Sequence, residues 1–124
     1  MIPKFRAWDK KLQTMLDVSL IDFKKGVLVG EHWKFGETNF MSFDEIELMQ
    51  STGLFDRNGK EIFEGDILKS NKYITSVFYE RGAYCVKFRR TTNTTVTMNV
   101  ISFIEKYKTK IIGNIYENKE LLDA

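Results

Sequence analysis

Histidine and cysteine are the residues best suited to catalytic chemistry, and this chain has one of each. His32 and Cys85 could form a nucleophilic pair in which the imidazole takes the proton of the thiol. No motif surrounds either residue, and Cys85 lies in a predicted strand beside Lys87, where a small buried side chain is typical. One cysteine excludes a disulfide framework, and with one histidine it excludes a zinc site. We therefore predict no catalytic residues, no metal and no cofactor.

Two other kinds of ligand site fail on spacing. The segment that begins at Asp56 is similar to the start of a calcium loop, but Gly59 stands at position four instead of six. Ile67 occupies position twelve, where a bidentate glutamate is needed. Neither G-x-x-x-x-G-K-[ST] nor G-x-G-x-x-G occurs, so no phosphate-binding loop is predicted. An enzyme is the least favoured class of protein.

Basic residues concentrate in the second half of the chain. Residues 66–116 contain nine Lys and Arg against three Asp and Glu, whereas residues 31–64 contain eight acids against three bases. In two segments the bases alternate with aromatic residues, a pattern that suits phosphate contact and base stacking. The candidate nucleic-acid-binding residues are Lys87, Arg89, Arg90, Lys106, Lys108 and Lys110. Two alternatives stay open: solvated strand faces, or pairing of the acidic and basic regions between copies in a homo-oligomer.

Strands with alternating apolar residues must position these side chains. Residues 5–8 and 12–15 predict an opening hairpin, and residues 20–23 and 27–29 predict a second one with a glycine at its turn. Residues 31–40 lack periodicity and are predicted to be irregular. Ser42 and Glu45 suggest a capping box, and the spacing of Phe43, Ile46 and Met49 predicts one or two turns of helix.

The second half of the chain reads as strands almost throughout. Asn58-Gly59 predicts a hairpin between residues 54–55 and 61–63. Short strands are then predicted at residues 67–69, 73–79, 84–88, 91–97 and 110–116, with a helical turn at residues 100–104. Five short strands with tight turns predict a small closed β-barrel, since closure removes exposed edges. Phe88 is predicted to lie in its core with Tyr84 and Val86.

Three separated segments are similar to the signatures of the YopX-like proteins, a family found in phages and prophages of Gram-positive bacteria. They are KFRAWD at residues 4–9, LMQSTGLFDRNGKEIFEGDI at residues 48–67 and IGNIYEN at residues 112–118. The resemblance implies an N-terminal α+β subdomain followed by an SH3-like barrel, and it implies no biochemical activity. We therefore predict a mainly β (α+β) protein in which a subdomain of residues 1–64 packs against a barrel of residues 65–124. No flexible linker is expected between them.

The residues that carry the resemblance have a structural explanation that needs no ligand. Turn chemistry explains the glycines and aspartates, and packing explains the large aromatic residues. A glycine inside the last strand predicts a bulge or a close approach of the backbone. The motif residues, predicted to be structural, are Trp8, Asp9, Thr52, Gly53, Asp56, Gly59, Gly65, Asp66, Gly113, Asn114 and Tyr116.

The residues and the resemblance together predict a non-enzymatic phage or prophage accessory protein. We expect it to bind another macromolecule, either an unknown protein partner or a second copy of itself, with nucleic acid bound by the basic face as the alternative. The first residues, MIPKFR, lack the apolar stretch of a signal peptide, and no uncharged run approaches the roughly 20 residues that span a bilayer. We therefore expect no membrane association and a place in the cytoplasm of the bacterial host.

Overall fold

Residues 4–123, which a computed structural model describes, form twelve β-strands, one α-helix and two short 3-10 helices. The chain divides into two compact units, residues 1–51 and residues 52–124, whereas the predicted boundary lies between residues 64 and 65. The strands that begin in the first unit are β1 (Phe5–Asp9), β2 (Thr14–Asp22), β3 (Val27–His32), β4 (Thr38–Ser42) and β5 (Ile46–Phe55). The last of these continues into the second unit.

The second unit contains the remaining strands and the α-helix. The strands are β6 (Glu61–Phe63), β7 (Asp66–Lys69), β8 (Ile74–Ser76), β9 (Phe78–Glu80), β10 (Ala83–Thr91), β11 (Thr94–Asn99) and β12 (Lys110–Asn114). The helix α1 spans Val100–Lys106, and the 3-10 helices span Phe43–Glu45 and Lys119–Asp123. Within the described part of the chain, no helix is long and apolar enough to cross a bilayer.

The first six strands form one sheet in the order β4-β3-β2-β1-β5-β6. Both predicted N-terminal hairpins are present: β1 pairs with β2, and β2 pairs with β3. Asp9 ends β1 by accepting the amides of Lys11 and Leu12 at 3.0 Å each, and Gly26 turns the second hairpin with φ of +68°. One face of this sheet carries a buried cluster that consists of Ala7, Leu16, Leu28, Met41 and Ile46.

One prediction for the first unit is wrong, and another is confirmed only in part. Residues 31–40 are not irregular, because β3 and β4 form a third hairpin across them. The helix predicted from Phe43, Ile46 and Met49 is only the 3-10 turn Phe43–Glu45, although the capping box at Ser42 is present. From Ile46 the backbone pairs with β1, with Asp9 opposite Ile46 and Arg6 opposite Met49. That continuous ladder satisfies more backbone groups than two turns of helix would.

Residues 66–114 form two three-stranded antiparallel sheets, in the orders β11-β10-β9 and β12-β7-β8. The predicted strands and the helical turn before the last strand are confirmed, except that residues 73–79 are divided between β8 and β9. No closed barrel is found among the residues that the structure describes. The buried cluster of this unit includes Leu68, Val86, Phe88, Val100 and Phe103, so the predicted core position of Phe88 is confirmed.

The hairpin turns of the second unit differ in type. Arg81 and Gly82 both have positive φ, 51° and 82°, which is the two-residue type I′ turn that the twist of a hairpin favours. The hairpin predicted at Asn58-Gly59 is present, since β5 and β6 are neighbours in the sheet, and of the two turn residues only Gly59 has positive φ. The loop is longer, and the side chain of Asp56 shapes it by accepting the amides of Asn58 and Lys60 at 2.9 and 2.8 Å.

At Gly113 the bulge predicted for a glycine within the last strand is present, and what approaches the residue closely is a side chain, not another backbone segment. The register of β12 against β7 shifts between Ile111 and Gly113, which is a bulge. A Cβ at position 113 would lie 2.6 Å from Cγ and 2.9 Å from Cβ of Asn118. Asn118 is held in that position because its Oδ1 accepts the Asn114 amide at 3.2 Å. Glycine is therefore required here by close approach, with no demand from the backbone angle.

Candidate nucleic-acid interface

The second unit contains a cavity of about 630 Å³ with a strongly basic lining. Three segments meet at it: the loop between β5 and β6, the turn between β7 and β8, and the segment that joins α1 to β12. We call it the basic cavity, and its six cationic residues are Arg57, Lys69, Lys72, Lys106, Lys108 and Lys110. The other lining residues are Ser70, Asn71 and Tyr107. No acidic residue lines the cavity, and within residues 4–123 none of the six cations forms an ion pair.

Buried polar side chains hold two of these segments in place. Asp56 fixes the loop that carries Arg57, since its Oδ2 also accepts the amide of Ile111 in β12 at 2.9 Å. The Arg57 amide donates to the Thr109 carbonyl at 3.0 Å, which joins the same loop to the segment before β12. Ser70 closes the turn between β7 and β8, because its Oγ accepts the amides of Lys72 and Tyr73 at 3.1 and 2.9 Å.

The carboxyl group of Asp56 is ionised throughout the ordinary pH range. Burial acts to raise its pKa, but the amide hydrogen bonds from Ile111, Lys60 and Asn58, together with the Lys60 charge, outweigh burial and lower the pKa. The carboxylate is directed at backbone amides, and among residues 4–123 it forms no ion pair with a cation of the basic cavity. The cationic lining makes the potential of the cavity positive.

The structure separates the six predicted nucleic-acid-binding residues. Lys106, Lys108 and Lys110 line the basic cavity, whereas Lys87 and Arg89 line a different cavity of about 510 Å³ that also includes Thr75 and Phe88. Arg90 is exposed and lines neither of these two cavities. The predicted interface therefore corresponds to two basic regions of the second unit.

Three cations of the basic cavity were not among the predicted binding residues, and they are Arg57, Lys69 and Lys72. Lys69 lies directly opposite Lys110 in the ladder between β7 and β12. A prediction of that strand pairing would have brought the two lysines together. Arg57 gives no such signal, because the hydrogen bond from its own amide to the Thr109 carbonyl brings it to the cavity.

Most of the family-motif residues make local contacts in the structure. Thr52 donates from Oγ1 to the Ile62 carbonyl at 2.7 Å, and Asp66 accepts the Phe63 amide at 2.7 Å. Asn114 accepts two amides through Oδ1, from Tyr116 and Glu117, both at 3.0 Å. Gly53 and Gly65 have positive φ, 78° and 88°, as does Gly59 at 80°. Trp8 is buried, Tyr116 is half-buried, and neither lines the basic cavity.

His32 is buried in a polar group of the first unit. Its Nε2 donates to Asp9 Oδ2 at 2.9 Å, and its Nδ1 accepts from Asn39 Nδ2 at 2.7 Å. The Asn39 amide group also donates to the Glu37 carbonyl at 3.0 Å, which fixes its orientation and makes the Nε2–H tautomer of His32 the consistent one. Burial acts to raise the pKa of Asp9, but the hydrogen bonds from Leu12, His32 and Lys11 lower it. Both ring nitrogens are thus engaged in structural hydrogen bonds.

Cys85 lies in β10 and is buried, with Sγ 3.8 Å from the Ala83 carbonyl oxygen and 3.7 Å from Asn99 Oδ1. These contacts agree with the small buried side chain expected at this position. Across residues 4–123, no group of three or more His, Cys, Asp or Glu side chains is arranged to hold a metal ion.

The antiparallel sheets and the basic cavity define a mainly β protein with a candidate site for anions. The model of the YopX protein family matches residues 4–123, so the chain belongs to the YopX protein family and the predicted membership is confirmed. Among solved structures, the chain is similar to protein EF1440 from Enterococcus faecalis, with 31% sequence identity and a TM-score of 0.67. That similarity covers 98% of this chain and 99% of the other. No curated protein matches the chain.

Proposed function

We propose that this protein is a non-enzymatic module that binds nucleic acid through the basic cavity. The observation that favours this function over the others is the concentration of six cations around one concave surface without an acidic residue in its lining. Like charges held close together repel each other, and a bound phosphate group relieves that repulsion. Nucleic acid supplies such groups in series, and the release of its condensed counterions drives the binding.

The roles of the chemically reactive side chains support the non-enzymatic part of this proposal. The two ring nitrogens of His32 are used by Asp9 and Asn39, which leaves no free lone pair for proton transfer to a substrate. The carboxylate of Asp56 is likewise directed at three backbone amides. These groups stabilise turns and loops, so binding through shape and charge is the activity that the molecule supports best.

Replacing Lys106 and Lys108 with glutamate is expected to weaken nucleic-acid binding by about tenfold or more, since two phosphate contacts are lost and repulsion is added. The measurement is the fluorescence anisotropy of a labelled single strand of mixed sequence over a series of salt concentrations. The slope of log K against log salt should become less steep by about 1.4 for the two lost contacts on a single strand.

The matched control for this experiment is K11E/K34E, which makes the same charge change at two exposed lysines of the first unit. It should leave affinity and salt slope close to those of the parent protein once the general charge effect is subtracted. Equal losses in the two double variants would contradict the role of the basic cavity. Binding that does not respond to salt would contradict the phosphate contacts altogether.

Self-association is a second candidate function, favoured by a row of three apolar residues in the first unit, two of which are exposed. Leu20 of β2, Val29 of β3 and Phe40 of β4 are direct neighbours in the strand register, and they form what we call the apolar row. Leu20 is 60% exposed and Phe40 is 71% exposed. Large apolar side chains adjacent to each other on an open sheet face are typical of an interface.

Charges on either side of the apolar row make a second copy the partner that fits it. On one side Asp17 lies directly opposite Glu31, a like-charge pair that destabilises the face. On the other side the turn between β2 and β3 carries the exposed residues Lys24 and Lys25. A two-fold axis through the row would place the acidic pair of one copy against the lysines of the other.

F40D is expected to convert a dimer to a monomer, because it places a charge at the centre of that interface. The measurement is the mass in solution by light scattering over a range of protein concentrations. I101D is the matched control, since Ile101 is an exposed apolar residue of the second unit, 48% accessible. A parent protein that is monomeric at every concentration would contradict the interface, as would a dimer that F40D leaves intact.

We further propose that the two sheets of the second unit pack in an SH3-like arrangement. Support comes from Thr75 of β8, which bridges to β10 of the other sheet: its Oγ1 donates to the Lys87 carbonyl at 2.7 Å and accepts the Lys87 amide at 3.2 Å.

The cellular location that we propose is the cytoplasm of a bacterium that carries a phage or prophage, as the resemblance to the family implies.

A further inference from the structure

The basic cavity has the size and the walls of a site for a single nucleotide. Its volume of about 630 Å³ lies within the range of roughly 300–1,000 Å³ that is usual for small-molecule sites. Cations reach it from three separate segments, as Arg57, Lys69–Lys72 and Lys106–Lys110 show. A concave site with cations on several sides can surround a group at the end of a strand. It makes fewer contacts with a strand that only passes across its opening.

We infer that the basic cavity binds a terminal nucleotide, with its phosphomonoester on the lysines and its base against Tyr107; this inference rests on the proposed function. A phosphomonoester has a charge of about −1.5 to −2 near neutral pH, whereas each phosphodiester within a strand has about −1. Six uncompensated cations therefore favour the strand end over its interior. Backbone phosphates beyond the first nucleotide add affinity without changing that preference.

Tyr107 supplies the aromatic wall of the cavity. The ring packs against Phe103 and Tyr73, whose centroids lie 5.1 and 5.4 Å away, and it is a half-buried lining residue of the cavity. The ammonium of Lys106 lies over the face of the same ring, 5.7 Å from its centroid. A base stacked on that face would take the place of the ammonium, which is then available to the phosphate of the same nucleotide.

The experiment compares two strands of about 12 nucleotides that are identical except for a phosphate or a hydroxyl group at the 5′ end, each labelled at the 3′ end. The 5′-phosphorylated strand is expected to bind about fivefold tighter, because charge-assisted contacts to the second negative charge are added. K106M/K108M, which keeps the length of the side chains, should abolish that advantage. K11M/K34M, which makes the same change in the first unit, should keep it.

Two further measurements test whether the ligand is a strand end or a free nucleotide, and whether the Tyr107 ring contributes to binding. A free nucleoside monophosphate should compete more weakly than the unlabelled 5′-phosphorylated strand, and equal competition would overturn a strand end as the ligand. Y107L should weaken both strands by a similar factor of about fivefold or more through lost stacking, with circular dichroism as the measure of folding. If Y107L does not fold, the comparison of the two strands on K106M/K108M still decides the inference.

The outcomes distinguish this inference from the function on which it rests. Equal, salt-dependent affinity for the phosphorylated and unphosphorylated strands would overturn recognition of the strand end and leave nucleic-acid binding in place. Failure of both strands to bind would overturn the proposed function itself. A phosphate-dependent advantage that K11M/K34M also removes would overturn the assignment to the basic cavity.

Discussion

Replacing Asp56 with asparagine is expected to lower the free energy of unfolding by about 3 kcal/mol, since three charge-assisted hydrogen bonds depend on its carboxylate. The side chain has the same shape, so packing is preserved. Oδ1 accepts the amides of Asn58 and Lys60 while Oδ2 accepts the Ile111 amide. An asparagine must present its own N–H group to one of these donors, which leaves a buried amide of the loop or of β12 without an acceptor.

Urea unfolding at neutral pH measures this effect, with E80Q as the matched control because Glu80 is an exposed acid of the same unit. The control should change stability by less than about 0.5 kcal/mol.

The pKa of Asp56 is lowered in the folded protein. The contribution of its carboxylate to stability is therefore complete above the unfolded pKa of about 3.9 and disappears as the pH falls through the lower folded pKa. The difference between the parent protein and D56N should therefore be constant from pH 7 to about pH 5 and shrink below about pH 4. A difference that stays constant into strong acid would contradict this account.

Phe103→Ala is expected to destabilise the second unit by about 3–5 kcal/mol, the usual cost of removing a buried phenyl ring. Phe103 of α1 is fully buried, and its ring centroid lies 5.5 Å from that of Phe88 and 5.1 Å from that of Tyr107. Since the collapse of that cluster would also move Tyr107, nucleic-acid binding should weaken at temperatures where the variant is still folded.

Thermal or urea unfolding measures the loss, and Ile101→Ala is the control within the same helix because Ile101 is exposed. The control removes apolar atoms and keeps helix propensity, so it should cost less than about 1 kcal/mol. Similar losses in the two variants would show that Phe103 does not organise the core of this unit.

Hairpin positions are the part of this fold that the sequence predicts best. The turns at Gly26 and at Arg81-Gly82 depend on backbone angles that few residue types adopt, so a glycine between two apolar runs identifies them. The bulge at Gly113 is predictable for a different reason, because a glycine inside a strand often marks a bulge. Buried positions of β10 follow from alternation alone, as Val86 and Phe88 show.

The segment from Phe43 to Met49 was predicted to be helical because its pattern suits a helix and a strand equally. Phe43, Ile46 and Met49 are spaced as on a helix, and the capping box at Ser42 does form. Three apolar residues cannot reveal that β1 is free to pair with the segment from Ile46 onward. The ladder between β1 and β5 is a long-range contact, and it overrides local propensity.

Three of the six cations of the basic cavity could be predicted from the sequence, and the other three could not. Lys106, Lys108 and Lys110 lie together in the sequence and attract notice as a cluster. Their counterparts come from elsewhere: Lys69 through strand pairing, and Arg57 through a loop that Asp56 attaches to β12. The alternation of apolar residues and the composition describe residues that are neighbours along the chain. A site built from three segments depends on contacts between distant residues, which these patterns do not reveal.

The close approach of Asn118 to Gly113 has a consequence for how this protein varies during evolution. Any side chain at position 113 would collide with the Asn118 carboxamide, which in turn accepts the Asn114 amide. A substitution at position 113 alone creates a collision, and a substitution at position 118 alone loses that hydrogen bond. Among descendants of this gene, we expect a larger residue at 113 only where 118 has become smaller, so that the two sites substitute as a correlated pair.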